Sequence, residues 1–282
     1  MNLVFRVNFM IKLLILGANG SMGRLISKLA LEDPEIQVIA ACDVNNIGQP
    51  LENLAGTIDP NKLKISDIKY LQKIINDTAP NVAVDFSIAK ATEENCRICV
   101  KNKIRCVIGT TGLTQEFLDE FQKLIIENKS PAVISSNMAT GVNIFFKMVS
   151  ILTAYLEDWD IEIIEAHHHR KIDAPSGTAL TLGNIIADTI GSDFSEIAKY
   201  GRDLGPNKRI VGAKNEIGVH SIRAGDIVGD HIVLYAGTGE RIEFKHQAHS
   251  RNCFASGAIT AIKFIANAQE NKIYSTREVL GL

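Results

Sequence analysis

The chain has almost no net charge. Thirty Lys and Arg stand against thirty-two Asp and Glu, giving −2 with the seven His counted neutral. Such a balance offers no broad field to draw the chain to nucleic acid or to an anionic membrane. No apolar run reaches the roughly 18 residues that a membrane-spanning helix requires. Residues 1–10, MNLVFRVNFM, are too few to hold the charged region, apolar core and cleavage site of a signal peptide. They read as an extension ahead of the first strand, and a cytoplasmic protein is expected. Cysteine is sparse and odd in number, with five residues at 42, 96, 99, 106 and 253. A disulfide framework is not expected in a chain of this size. Cys96 and Cys99 form a CxxC without a second pair at finger-like spacing, which argues against a metal finger. Internal repeats and low-complexity linkers are absent.

What the chain does have is apolar substance, 46% of 282 residues, enough for two domains or one domain with a large insert. Residues 11–16, IKLLIL, form a compact run of the kind expected of a strand buried on both faces. Helix-like spacing follows over 22–31, and 36–42 is a second strand ending at Asp43. Strands at 81–86, 104–108 and 131–135 then alternate with helices at 67–76, 90–102 and 114–128. Strands separated by helices of this length predict parallel βαβ units. Right-handed crossovers place the loops at Gly17–Gly23, Asp43, Asp85–Ser87, Gly109–Gly112 and Ser135–Met138 on one sheet edge, where open α/β sheets bind ligands.

After Asn137 the spacing changes. Helices are predicted at 142–156, from 176 and at 257–268, with strands at 160–166, 215–222, 227–236 and 240–248. The expected fold is therefore α/β, with a Rossmann-like dinucleotide-binding domain and a second α+β domain. The second domain should hold a mixed, largely antiparallel sheet with helices on one side. The boundaries read as 11–137 plus 251–282 for the first domain and 138–250 for the second. Periodicity alone does not settle whether the last helix returns to the first domain.

Two segments carry chemistry. Gly17-Ala-Asn-Gly20-Ser-Met-Gly23 joins the first strand to the first helix, where side-chain-free residues permit a tight turn and close approach of a phosphate. The helix start offers free N–H groups and a positive dipole end to a pyrophosphate. Asp43 follows at the end of the second strand, where a carboxylate can accept the adenosine ribose hydroxyls. An acid there repels a 2′-phosphate and Val44 cannot bind one, which favours NADH over NADPH, although Arg24 lies close by. Lys is absent from the loop, against an ATP-type P-loop.

The second segment is Glu165-Ala-His-His-His-Arg-Lys171-Ile-Asp-Ala-Pro-Ser176-Gly177-Thr178. Ser176 is a helix cap, which leaves the N–H groups of Gly177 and Thr178 to bind a carboxylate. Lys171 and His168 can bring charge to the same anion. His167 or Lys171 is the better acid candidate. Three adjacent histidines point in divergent directions, so no metal is expected. His220, His231, His246 and His249 read as polar surface or interface.

The chain resembles the 4-hydroxy-tetrahydrodipicolinate reductase (dihydrodipicolinate reductase) family over residues 11 to about 280. The motifs that carry the resemblance are GANGSMG at 17–23, VDFS at 84–87, GTTG at 109–112, SSNMATGVN at 135–143, EAHHHRKIDAPSGTAL at 165–180 and IRAGDIVGDH at 222–231. The block at 165–180 is specific to that family and the glycine loop is not. The resemblance implies reduction of a cyclic imine dicarboxylate with NADH or NADPH, in lysine and diaminopimelate synthesis, by a homotetramer. It implies cofactor contacts at Gly17, Ala18, Asn19, Gly20, Ser21, Met22, Asp43, Gly109, Thr110, Thr111, Ser135, Ser136, Asn137 and Met138. It implies catalytic roles for His167 and Lys171 and substrate contacts at His168, Gly177 and Thr178. Asn19 stands where the family often has glycine, and Val44 where it often has arginine. The alternatives are another nicotinamide reductase, such as an aspartate-semialdehyde or homoserine enzyme, a nucleotide-sensing protein without turnover, and a relative that reduces dihydrodipicolinate but not the hydroxylated substrate.

Overall fold

The computed structural model describes residues 10–282; the expected extension at 1–10 lies, but for its last residue, outside them. The chain divides into two compact units. One runs up to Thr140 and resumes at Asn252, and the other is Gly141–Arg251.

The first unit holds strands β1 (Ile11–Leu16), β2 (Ile36–Asp43), β3 (Ser66–Asp67), β4 (Val82–Asp85), β5 (Arg105–Ile108) and β6 (Ala132–Ile134). Helices α1 (Ser21–Glu32), α2 (Leu51–Ala55), α3 (Leu71–Thr78), α4 (Ala89–Lys101) and α5 (Gln115–Asn128) lie between them. In the second unit come α6 (Thr140–Tyr155, whose first residue still belongs to the first unit), β7 (Asp160–His167), α7 (Gly177–Ile190), α8 (Phe194–Ile197), β8 (Ala198–Tyr200), β9 (Ile217–Arg223), β10 (Gly229–Gly237) and β11 (Glu240–Ala248). The chain then re-enters the first unit with α9 (Asn252–Asn267), β12 (Ile273–Tyr274) and α10 (Thr276–Val279).

The first sheet has seven strands in the order β12-β6-β5-β4-β1-β2-β3, every pair parallel. β1 shows why the sheet is buried on both faces. Leu13 and Ile15 enter the core beneath α1 and α9, while Leu14 and Leu16 enter the core on the α3, α4 and α5 side. Side chains two apart share a face of a strand, and each of these leucines and isoleucines contributes about 1.5–3 kcal/mol by leaving water. Helix α9 fills the first of these cores with Ala255, Ala258, Ala261, Ile262 and Ile265. The order reverses between β1 and β4, which opens a crevice at the carboxyl ends of the strands.

The second sheet has the order β11-β10-β7-β9-β8. β10 pairs antiparallel with β7 and β11, but β9 pairs parallel with β7 and β8. The expected mixed sheet is present, and its antiparallel character covers only half the pairings. The cause is α7, which makes β7-α7-β8 a crossover connection, and β8 is only three residues long. Helix α6 packs on this sheet through Phe145, whose ring lies 5.0 Å from that of Phe244. Thr153 Oγ1 lies 2.9 Å from the buried Tyr235 hydroxyl. Among the described residues no helix is long and apolar enough to cross a membrane, and no group of His, Cys, Asp and Glu could hold a metal ion.

Candidate active site

The first unit builds its site from loops. Gly17 adopts φ +77°, and a Cβ there would sit 3.2 Å from the Phe86 backbone. At Gly23 a Cβ would sit 2.0 Å from Gly17 O, so only glycine lets α1 start this close to the turn. Asp43 ties the loop to the end of β2. Its Oδ2 accepts from Asn19 N at 2.9 Å and its Oδ1 from Val44 N and Asn45 N at 2.8 and 3.0 Å. Arg24 donates to Asn19 O and Asn19 Oδ1 at 2.9 and 2.7 Å.

Gly17, Asn19, Gly20, Asp43 and Val44, together with Phe86, line a cleft of about 320 Å³. A second cleft of about 400 Å³ is lined by Phe86, Ser87, Gly109, Thr110 and Thr111. Asp85, at the end of β4, is buried. It accepts from Ser87 N, Ser87 Oγ, Thr92 Oγ1 and Asn95 Nδ2 at 2.6–3.1 Å, and Thr92 Oγ1, its one proton so used, accepts from the Thr110 hydroxyl at 2.8 Å. The other sequence candidates fall elsewhere. Ala18 and Met138 are core residues, Met22 packs against the same core, and Ser21 opens α1. Ser135, Ser136 and Asn137 line neither cleft, and Ser135 Oγ donates to Asn137 O at 2.9 Å.

The second unit builds its site from a strand. β7 alternates so that Ile161, Ile163, Glu165 and His167 share the buried face. Glu165 is fully buried, and burial alone would push its carboxyl up. Hydrogen bonds from Arg223, His167 and Ser221 outweigh that and hold it at about 2. An ionised carboxylate can only accept, so His167 Nδ1 is the donor at 2.6 Å. That fixes the tautomer and leaves Nε2 outside the pair, with a Cβ position at Gly229 3.1 Å away. Arg223 donates to both Glu165 oxygens at 2.8 and 2.7 Å, and Ser176 N to Oε1 at 3.1 Å.

Ser176 caps α7 as expected, accepting from Ala179 N at 3.2 Å. Gly177 is exposed, and a Cβ added there would meet nothing within 4 Å, so space is open in front of the helix start. Thr178 is partly buried in the same turn. Lys171 Nζ pairs with Asp173 Oδ1 at 2.7 Å and holds that carboxyl below its ordinary range. For His168, burial first and then the charges of Arg170, His167, Arg251 and Lys171 push the imidazole down.

Three participants were missed in the sequence. Glu165 was legible from the alternation of β7, since 165 and 167 share a face. Arg223 lies 58 residues beyond Glu165 and has no local signal. His231, read as polar surface or interface, is buried within the second unit. Its ring meets that of His167 edge-on at 5.2 Å, and its Nε2 lies 3.0 Å from Ser176 Oγ. Burial, and then the charge of His167, push its pKa down to about 3.

Residues 11–138 match the family model described as dihydrodipicolinate reductase, N-terminus, and residues 141–280 match its C-terminus counterpart. The chain belongs to the dihydrodipicolinate reductase family. A relative from Methanocaldococcus jannaschii named 4-hydroxy-tetrahydrodipicolinate reductase is 46% identical, with 97% of this chain and 98% of the relative covered. A relative of the same name from Methanococcoides burtonii is 44% identical over 95% of this chain and 98% of its own. Among solved structures, a dipicolinate-bound dihydrodipicolinate reductase from Paenisporosarcina sp. TG-14 superposes with a TM-score of 0.77. Its identity is 27%, with 95% of this chain and 98% of that chain covered.

Proposed function

We propose that this chain reduces 4-hydroxy-tetrahydrodipicolinate, by way of dihydrodipicolinate, to tetrahydrodipicolinate in lysine and diaminopimelate synthesis. The observation that carries the reading is the buried Glu165–His167 pair at the end of β7, followed within one connection by Lys171 and the open start of α7.

The glycine cradle fits a dinucleotide. Side chains at 17 and 23 would collide with the backbone that shapes it, and Asp43 sits beside it with its carboxylate held by three backbone N–H groups. When bound, a reduced nicotinamide supplies the hydride that adds to C4 of the conjugated cyclic imine. Gly17–Gly20 receive the pyrophosphate and Asp43 the ribose hydroxyls, with Gly109, Thr110 and Thr111 lining the neighbouring cleft. Ser135 to Met138 serve, on this reading, through backbone contacts at the same sheet edge. NADH is favoured over NADPH because Asp43 is an acid, Val44 has no charge to offer a 2′-phosphate, and Arg24 is engaged by Asn19.

The substrate carboxylates are held by Lys171, His168, and the Gly177 and Thr178 end of α7. Hydride addition drives electron density toward the ring nitrogen. His167 Nε2, with Nδ1 anchored on Glu165, holds the proton that this nitrogen takes up, and the Lys171 ammonium stabilises the developing charge or delivers the proton in its place. The homotetramer implied by the family, and the cytoplasmic location expected from the sequence, complete the reading. Support for association comes from α6, which exposes Ile144, Met148, Ile151 and Tyr155 along one face.

The test is an assay on enzymatically generated substrate. Wild type should oxidise NADH on mixing, and His167→Gln should lower kcat by about 10²–10⁴-fold while leaving the NADH dissociation constant within twofold. Equal loss of cofactor affinity, or turnover by neither enzyme, rejects the assignment.

A further inference from the structure

We propose that Arg223 and Glu165 are positioning residues for this reduction, and that the Arg223 guanidinium sets the orientation of both His167 and Lys171. The proposal rests on the reaction assigned above.

Parallel pairing places Arg223, the last residue of β9, opposite His167, the last residue of β7. From there one planar guanidinium reaches Glu165 and Asp173, besides the carbonyl of its neighbour Ile222. Its two terminal nitrogens take both Glu165 oxygens, and Nη2 also donates to Asp173 O at 2.6 Å. Glu165 then passes the constraint to His167 Nδ1, and also to Ser176 N, where α7 begins. Asp173 passes it to Lys171, because its carboxylate holds the ammonium. The connection between β7 and α7 is thus fastened at Asp173 and Ser176 to one buried ion pair. A lysine at 223 has the charge but not the fork that makes these bonds together.

A buried ion pair kept only for folding is replaceable by apolar groups of similar volume. This pair instead ends on the one imidazole nitrogen whose protonation decides which way His167 works. Outer partners of this kind change activity by about 10–100-fold when removed in metal-ligating histidines, and the same logic of tautomer control applies here.

Of the charged and titratable groups around His167, Glu165 on its own strand bonds Nδ1, His231 on β10 meets the ring edge-on, Arg223 on β9 is its register partner and His168 follows it in the chain, while Lys171 and Asp173 pair with each other in the connection beyond. Removing Glu165 or Arg223 therefore changes the local charge in opposite senses.

Three variants, Glu165→Gln, Arg223→Gln and Arg223→Lys, test the proposal in the full-length protein. Each is measured for kcat and KM between pH 6 and 9, for NADH affinity and for Tm. Glu165→Gln should lower kcat by about 10–100-fold with little change in KM, and should move the pH midpoint of kcat down. Arg223→Gln should lower kcat, raise KM through Lys171, and move the midpoint up. Arg223→Lys should keep the midpoint and still lose kcat. A merely structural pair would lower Tm without splitting kcat from KM or moving the midpoint in opposite directions, and that result overturns the proposal. If Arg223→Gln fails to fold, the contrast between Glu165→Gln and Arg223→Lys decides. Histidine ¹⁵N shifts, recorded without substrate, separate this proposal from the reaction itself. The Nδ1–H tautomer of His167 in wild type and its loss in Glu165→Gln support the positioning role even if wild type turns over another imine. A wild-type Nε2–H tautomer rejects it whatever the substrate.

Discussion

The two sheets solve the problem of burial by opposite rules. In the parallel sheet, β4 is buried at every position, and its only ionisable residue, Asp85, comes at the carboxyl end. In the mixed sheet, β7 alternates strictly, and its buried face runs from Ile161 and Ile163 straight into Glu165 and His167. The first unit therefore keeps its chemistry in loops shaped by the absence of side chains. The second puts ionisable groups inside the sheet and neutralises them there. One site should be vulnerable to an extra methyl group and the other to an extra proton.

Protons give the largest expected effect. His231 is held neutral with a pKa of about 3 against an ordinary 6.5. A group whose folded pKa is depressed contributes stability above its unfolded pKa and loses it as pH falls toward the folded value. Linkage puts the loss at about 3 kcal/mol between pH 7 and pH 4. Glu165, depressed from 4.5 to about 2, adds its own loss only in the more acidic range between those values. Denaturant titrations at pH 7 and 4 should show the first loss, and His231→Gln should flatten it. Equal acid sensitivity in that variant would count against a buried neutral imidazole.

An added methyl group comes second. Gly23→Ala forces a Cβ to within 2.0 Å of Gly17 O. Overpacking of about 1–3 kcal/mol should weaken NADH binding by about 10–100-fold. Fluorescence titration reads the affinity, and the acid response tied to His231 should stay as in wild type. If both responses moved together, the contrast between the units would be lost.

The smallest effect sharpens cofactor choice. Arg24 is engaged by Asn19, and Val44, 68% exposed beside Asp43, brings no charge of its own to a 2′-phosphate at that corner. Val44→Arg should improve kcat/KM for NADPH relative to NADH by about 5–10-fold, the order of one exposed charge contact. A wild-type preference for NADPH would show that the corner is read by something other than these two residues.

The contrast also explains what the sequence made legible. β1, β2, β4 and β5 are apolar runs, and the glycine loop and Asp43 act within a few residues of their strand ends, so local reading reaches them. The cap at Ser176 is local too. β8 and β12, three and two residues long, are too short to show a period. The partners of Glu165 are a matter of tertiary structure. The alternation of β7 already placed it beside His167, but the guanidinium that makes its burial tolerable comes from β9, and the packing of His231 comes from β10. Residues that act through distant partners leave no spacing to read.

The return of the chain to its first unit bears on the order of folding during synthesis. The apolar floor under β1 is closed by Ala255, Ala258, Ala261, Ile262 and Ile265, all of which leave the ribosome after the whole of Gly141–Arg251. The unit begun first is thus completed last, and it waits with an open apolar face while the inserted unit already has all its own strands. Loss of the stretch from Asn252 onward would empty the nucleotide-binding half while leaving every residue of the inserted half in place.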